Sequence, residues 1–534
     1  MILLQTITAW AAKPPTLRVA SVRATGYKAG IMIDPSSLPA RISDILLRHP
    51  ANASALVEDG RSWTYGELRH EVERYATMLR DLGARPGDRV MLVSENCVAQ
   101  VALIFAIASI DAWSVTVNAR LSEGELAAIR THCSPRCVLT ATSAGVATSA
   151  SDMAAVPEPV QPDGAQVAAL VYTTGTTGQP KGVMLTHANL LFVAATSSLL
   201  RGLQPSDHAS GVLPISHVYG LSSVMLGTLY AGACLHLMPR FSGDALLAQI
   251  RGGVLSIVQG VPAMYARLLA LTDGKPVASR LRFCYAGGSP LDPVLKREVE
   301  RVFGLPLHNG YGLTESGPTV SQTRLDAPRG DTSVGHPIPG VEVRIMEATG
   351  ELWVRGPNVM AGYYRDPAQT GATLHPGGWL ATGDVATQGE DGALFIAGRL
   401  KELIIRSGFK VYPLEVETAL NSHPAVLQSA VVGRAVGGGE EEVVAFVEAA
   451  GEVDAQALQD WLRTRLAPYK RPSRIVFMDA LPAAPSGKIL KSDLVQWTRS
   501  QAFAPTGAAF SSCSPAPSRP RPDGRPGPDA PTTS

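Results

Sequence analysis

Residues 172–182 read YTTGTTGQPKG, with four threonines, three glycines and one lysine in eleven positions. Glycine lets backbone N–H groups approach a ligand closely and take positive φ. Threonine adds hydroxyl donors, and lysine adds a compact point charge. Such a loop can wrap the oxygens of a polyphosphate. It is not the common P-loop, which needs G-x-x-x-x-G-K-[ST]. Here Lys181 stands three residues after Gly178, and Gly182 follows it. The apolar run at 167–172 predicts a buried strand, and the segment from His187 predicts a helix start. A strand, a phosphate loop and then a helix is the expected context. A flexible Gly/Thr surface loop is the competing reading.

Other stretches carry groups that could act with it. Residues 310–315, GYGLTE, set Tyr311, Gly312 and Thr314 beside Glu315. Mg²⁺ is commonly held by one or two carboxylates plus substrate phosphates, so a single glutamate suffices chemically. Residues 378–384, GWLATGD, end on Asp384, and a carboxylate can accept hydrogen bonds from both ribose hydroxyls. The bland reading of each is a turn with a surface acid. Residues 398–417 read GRLKELIIRSGFKVYPLEVE, and 485–491 read PSGKILK. Taken singly, Lys401, Lys410 and Lys488 would be solvated surface lysines. Residues 213–220, LPISHVYG, hold His217, which alone is more often structural. Residues 285–291, YAGGSPL, and 261–265, VPAMY, could wall a pocket or simply pack.

In this order and spacing, the stretches resemble the adenylate-forming superfamily of acyl-CoA synthetases, adenylation domains and luciferases. The resemblance covers about 34–498. It implies that Thr173, Thr174, Gly175, Thr176, Thr177, Gly178 and Lys181 cradle the phosphates. It implies that Thr314 and Glu315 lie by the phosphates and Mg²⁺, with Thr174 also at the metal. Tyr311, beside Gly312, would lie against the adenine, with Gly288 on the strand-turn near it. Asp384 and Arg399 would bind ribose. Lys401 falls at the family's hinge, and Gly408 and Lys410 fall on the loop lining the pantetheine tunnel. Lys488 matches the lysine that holds the carboxylate against the α-phosphate, and His217 the histidine near that carboxylate. Some positions depart from the pattern. Asn309 replaces Gln or Glu, Ser216 replaces an aromatic residue, Gly288 stands where the family usually has Ala, and Ala483–Ala484 replace Arg-Thr.

Helices alternating with short strands predict an α/β chain with largely parallel sheets. Helical spacing recurs at 40–49, 68–82 and 101–113; strands are expected at 90–94, 114–117, 213–214, 234–238 and 257–259. A turn is read at 62–67. Short alternating strands at 340–354 predict a small β subdomain. A unit of α+β character follows, with elements at 402–405, 413–422, 426–432, 442–448, 455–466 and 474–477. The expected division is an extension at 1–33, read as disordered or an over-long start; a large domain of layered mixed sheets at 34–397; a small α+β domain at 398–500 that rotates about Lys401; and a disordered Pro-rich tail at 501–534.

Bulk numbers exclude little else. A formal charge of +1 over 534 residues gives no reason to expect nucleic-acid binding. No apolar run reaches the roughly 18–20 residues a membrane span needs. Six scattered cysteines fit a reducing cytoplasm; Cys133 and Cys137 have no second pair to complete a zinc site. The resemblance implies ATP plus a carboxylic acid giving acyl-AMP and pyrophosphate, then CoA giving acyl-CoA and AMP. Mg²⁺ and CoA are the implied cofactor and co-substrate, and fatty and aromatic acids both stay open. Loading of a carrier protein is the alternative, with a luciferase-like oxygenase and a non-catalytic acyl-nucleotide binder behind it. The oligomeric state, a homodimer included, is left open.

Overall fold

The computed structural model describes residues 33–34, 37–152, 154–174, 180–437, 440–449, 451–483 and 489–500. Two large sheets face each other across a layer of helices. The nine-stranded sheet runs in the order His336–Pro337, Thr319–Gln322, Leu307–Gly312, Phe283–Ala286, Ile257–Gly260, His208–Gly211, Cys234–Leu237, Ser54–Glu58, Arg61–Thr64. Its middle, from Leu307–Gly312 to Ser54–Glu58, is parallel. The seven-stranded sheet runs Gly362–Tyr363, Pro180–Thr186, Val167–Thr174, Trp113–Asn118, Arg89–Ser94, Cys137–Thr142, Gly145–Ser151.

Between the sheets lie the helices Val98–Ser109 and His187–Leu200 and the π-helical turn Tyr219–Leu226, nearly every residue of which is buried. A helix apolar on all sides must be enclosed on all sides, and the sequence VAQVALIFAIAS leaves no solvent face. Helix starts are fixed locally. Thr64 accepts from the Glu67 N–H while Glu67 returns a bond to Thr64, and Thr186 and Asn189 repeat the device.

A five-stranded antiparallel sheet follows: Glu342–Ile345, Glu351–Arg355, Trp379–Gln388 and Leu374–His375, with Leu394–Arg399 on the long strand. Its alternating buried positions pack on Phe192 and Val193 of the central helix. The C-terminal body is a three-stranded sheet, Val426–Gly437, Glu440–Ala449 and Arg474–Phe477. Helices Pro413–Asn421 and Ala455–Arg463 cover one face and Lys491–Ser500 the other.

Several expectations change. The strand expected at 167–172 is Val167–Thr174 and the helix expected from His187 is His187–Leu200, but a second strand, Pro180–Thr186, antiparallel to the first, stands between them. The second strand is short, and its period-2 burial at Val183 and Leu185 is hidden among glycine and lysine. The turn read at 62–67 is a strand ending in the cap of helix Tyr65–Asp81, which begins three residues before the expected 68. The strand expected at 213–214 is His208–Gly211. The helical spacing at 40–49 closes as a 3₁₀ turn, Ile42–Arg48.

Candidate active site

Parallel strands end together, so the residues at their carboxyl ends converge. Leu307–Gly312 carries Tyr311 to that edge, and the 3₁₀ turn Thr314–Ser316 then sets Glu315. The chain must pass very close to its neighbours here. A Cβ on Gly310 would stand 1.7 Å from the Tyr285 hydroxyl, and one on Gly312 would stand 1.5 Å from the Pro318 carbonyl. Glycine at both positions is therefore a packing requirement.

Glu315 is half-buried, and its Oε1 accepts a 2.7 Å hydrogen bond from the Tyr363 hydroxyl. That bond aims the carboxylate and leaves Oε2 open among the described residues. Burial, and then the Glu315 charge, push the Tyr363 phenol well above its usual range, so it stays a donor. Lys181 lies opposite Thr173 on the hairpin. Its ammonium donates to Gln369 Oε1 at 3.0 Å and sits 5.7 Å from the Tyr363 ring centroid. Thr314 is buried beneath this corner. A single oriented carboxylate with a buried hydroxyl and an ammonium nearby suits a phosphate-bound Mg²⁺.

Asp384 and Arg399 face each other across adjacent strands. Arg399 Nε lies 2.9 Å from Asp384 Oδ1, and the Tyr311 hydroxyl donates to Oδ2 at 2.5 Å. The Asp384 carboxylate is buried, while Arg399 keeps about a third of its side chain in solvent. Burial first, and Asp384 second, hold the Tyr311 phenol far above its ordinary range. Asn309, one strand position before Gly310, turns inward. Its amide donates to the Thr332 and Ser333 carbonyls at 3.2 Å, tying the strand to the next loop.

Lys401 sits in the 3₁₀ turn Leu400–Glu402 that follows this strand. Its ammonium is held below the usual lysine range by burial first, then by Arg399, with Lys181 a smaller contribution. The Glu315 charge in turn helps to raise Arg399, against burial. Lys181, Glu315, Asp384, Arg399 and Lys401 therefore share one electrostatic neighbourhood. Gly408, at φ +77°, turns the exposed hairpin Ile404–Arg406 and Phe409–Val411, on which Lys410 lies. Glu402, the residue after Lys401, pairs with Lys491, which also pairs with Glu417.

His217 is exposed at the entry to the π-helical turn, and its Nδ1 accepts from the Tyr219 N–H at 3.3 Å. π-helical turns recur at functional sites. Gly220 is forced by the fold, since a Cβ would stand 2.2 Å from the Pro214 carbonyl. Tyr219 projects against Gly287 and Gly288, and its ring stands edge-on to Tyr285 at 6.3 Å. Gly288, at φ +82°, also faces Val261. Two tyrosines thus pack against the paired glycines.

Thr173 and Lys181 of the seven-stranded sheet, Tyr311, Gly312, Thr314 and Glu315 at the end of the nine-stranded sheet, and Asp384, Arg399 and Lys401 on or just after the five-stranded sheet thus meet through the Tyr363–Glu315 and Tyr311–Asp384 hydrogen bonds. Gly175, Thr176, Thr177, Gly178 and Lys488 lie outside the described residues, as does the side chain of Thr174. Sequence reasoning missed Tyr363 and Gln369, which orient Glu315 and Lys181. No motif spacing could have found them, because they are 48 and 188 residues from the groups they hold.

The model of the AMP-binding enzyme family matches residues 44–364, and that of the AMP-binding enzyme C-terminal domain matches 415–488. A feruloyl-CoA synthase from Amycolatopsis sp is 36% identical over 475 residues, covering 84% of this chain and 96% of that protein. ATP-bound MatB from Rhodopseudomonas palustris superposes with a TM-score of 0.79 at 28% identity, over 87% of this chain and 99% of its own. The o-succinylbenzoate CoA synthetase of Bacillus subtilis, solved with its acyl-adenylate, superposes at 0.76 with 27% identity, over 88% and 99%. Among the described residues no helix is long and apolar enough to cross a membrane.

Proposed function

The chain belongs to the AMP-binding enzymes, and on that premise we propose that the acid it activates is aromatic. It is an AMP-forming acid–thiol ligase: ATP with Mg²⁺ converts a carboxylic acid to an acyl-adenylate, and CoA takes the acyl group with release of AMP. The feruloyl and succinylbenzoyl relatives act on aryl acids, and Tyr219 and Tyr285 beside Gly287 and Gly288 supply the aromatic and small residues that a wall for a planar ring needs. A fatty-acid role, the other expectation, has no such support.

The assignment of residues follows from charge. A carboxylate must approach a negative α-phosphate, so cations must gather there. Lys488, Lys181 and a Mg²⁺ held by Glu315, with Thr174 beside it, supply them, and Thr173 to Gly178 cradle the leaving pyrophosphate. Preorganised charge of this kind is usually the largest catalytic contribution. Asp384 accepts from the ribose hydroxyls while Arg399 and Tyr311 hold it still. Tyr311, Gly312, Asn309 and Gly288 border the adenine, and His217 stands at the entrance near the carboxylate. For the second half-reaction the body at 398–500 turns about Lys401 against the body at 34–397. That turn withdraws Lys488 and brings the Gly408 and Lys410 hairpin to the pantetheine path.

The observation that supports the reading is that Glu315, Lys181, Asp384 and Arg399, from three different sheets, adjoin one another through the Tyr363–Glu315 and Tyr311–Asp384 hydrogen bonds. The test supplies ATP, Mg²⁺, CoA and a panel of aryl and aliphatic acids. Aryl-CoA, AMP and pyrophosphate should form together. Aliphatic acids used as well as aryl acids would refute the aromatic assignment. AMP and pyrophosphate without any acyl-CoA would favour carrier loading. Lys488→Ala should lose adenylation and keep thioester formation from supplied acyl-AMP; equal loss of both would refute its role. A homodimer and a cytoplasmic setting complete the proposal, the first checked by sedimentation and the second by imaging.

A further inference from the structure

Three side chains with metal-binding atoms meet where two neighbouring strands begin. His208 opens the strand His208–Gly211, and Cys234 opens Cys234–Leu237. The strands run parallel, in a register that sets Cys234 beside His208. Side chains alternate along a strand, so His236, two positions on, returns to the face of Cys234. One ligand atom from each of the three lies within 4.8 Å of the other two. His208 Nδ1 and His236 Nε2 are 2.8 Å apart. Among the described residues this is the one such group of His, Cys, Asp or Glu side chains.

The cluster stands apart from the nucleotide groups. Tyr311 and Glu315 lie at or beyond the carboxyl ends of the parallel strands, whereas His208 and Cys234 lie at amino ends. Its backbone is anchored. The His208 N–H donates to Ser256 Oγ at 3.0 Å, and the Ser256 N–H donates to the His208 carbonyl at 2.9 Å. The Cys234 N–H donates to the Asp207 carbonyl at 2.9 Å. The Asp207 carboxylate accepts from Arg282, Ser256 Oγ and the Gln204 N–H, so it is already engaged. Cys234 and His236 are buried, while His208 is partly exposed and gives an ion a way in.

A hydrogen bond between two packed imidazoles accounts for His208 and His236. It gives no reason for a thiol beside both. We propose that His208, Cys234 and His236 bind one Zn²⁺, with water in the fourth position. Imidazole nitrogen and thiolate sulfur are the atoms zinc takes in tetrahedral sites, and three protein ligands leave one position open. Zn–N bonds of about 2.0–2.1 Å at tetrahedral angles put two nitrogens about 3.3 Å apart. The two rings therefore part by about 0.5 Å from their present contact. Both facing nitrogens must be bare and the sulfur a thiolate. The proton between the imidazoles moves to the other nitrogen of the ring that carries it. The Cys234 thiol gives its proton to water, so one proton leaves per ion bound. The ion ties two strand starts together and takes no part in adenylation.

The experiment uses the full chain, free of any tag and of nucleotide. Chelator-treated protein is titrated with Co²⁺, a spectroscopic stand-in for zinc, and then with Zn²⁺. One Co²⁺ per chain should bind with a thiolate-to-cobalt charge-transfer band. One equivalent of Zn²⁺ should bleach it. Cys234→Ser should abolish the band. His208→Gln should weaken zinc binding by at least about tenfold, since even an outer partner of a metal ligand is worth that much. No band in the wild type, a band that survives Cys234→Ser, or unchanged affinity in His208→Gln would each overturn the proposal. Should either variant fail to fold, anomalous scattering at the zinc edge from wild-type crystals grown with zinc decides. A peak between the three side chains sustains the site, and a peak elsewhere, or none, overturns it.

Discussion

Arg136 and Arg201 are the same residue at the same depth, in two regions with opposite solutions. Arg136 sits at the far end of the seven-stranded sheet, locked on Asp88 and on the carbonyls of Asp152 and Ala155. Arg201 caps the central helix with donors left over. The first charge is matched within the chain and belongs to the scaffold. The second meets no carboxylate among the described residues and is held instead by Gln259 Oε1, the Ser223 carbonyl and the Tyr285 ring. The nucleotide edge lies between these extremes. There Asp384 pairs with Arg399 and Glu315 accepts a hydrogen bond from Tyr363, and on the proposed reading every turnover brings the same ATP to them.

One substitution made at both arginines gives the largest expected contrast. Arg136→Met leaves buried Asp88 with the Arg85 backbone N–H and the longer 3.7 Å ion pair to the Arg85 side chain, and should lower stability by roughly 3 kcal/mol. Arg201→Met removes an unmatched charge and should change stability by no more than about 1 kcal/mol in either direction. Denaturant titration of the two variants decides this, and equal destabilisation would erase the distinction. Next in size, Asp384→Asn should reduce kcat/KM for ATP by roughly 100-fold, about 2.7 kcal/mol, while leaving the ratio between acids unchanged. A shifted acid ratio would mean that the two ends are not separate. Tyr363→Phe frees Glu315 and loses one hydrogen bond, so the Mg²⁺ concentration for half-maximal rate should rise roughly 3- to 10-fold. No rise would remove Glu315 from the metal.

The smallest effect is on pH. Burial first, then Lys296 and, further down, Arg201 press the His308 imidazole down to about 4. The unfolded chain therefore binds a proton near pH 6.5 that the folded chain refuses until about 4. Stability should be full above pH 6.5 and fall as the pH drops toward 4. His308→Gln should flatten part of that fall in a plot of Tm against pH. An unchanged slope would show that His308 does not carry it.

Much of the nucleotide edge was legible in the sequence because its residues lie in short contiguous stretches with unusual composition. Glu315 beside a Tyr-Gly turn, and Asp384 at the end of a Thr-Gly turn, announce chemistry without any neighbour. The hairpin around the phosphate stretch was not legible, since Pro180–Thr186 offers only two buried apolar positions to betray its period. Arg201 was invisible for a different reason. An arginine at the end of an apolar helix reads as a favourable match to the helix dipole. Its burial, and its lack of a carboxylate, are properties of packing between strands that lie about 60 to 85 residues further on. The same holds for Tyr363, whose meaning depends wholly on which carboxylate the fold brings to its hydroxyl.

The central claim is that these paired charges build an acyl-adenylate before the thiol takes part. The most direct measurement mixes the chain with α-labelled ATP, Mg²⁺ and an aryl acid in the absence of CoA, and quenches within a single turnover. The account predicts enzyme-bound acyl-AMP and pyrophosphate in equal amounts, with free AMP appearing only when CoA is added. ADP as the product, or no acyl-AMP until CoA is present, would contradict it.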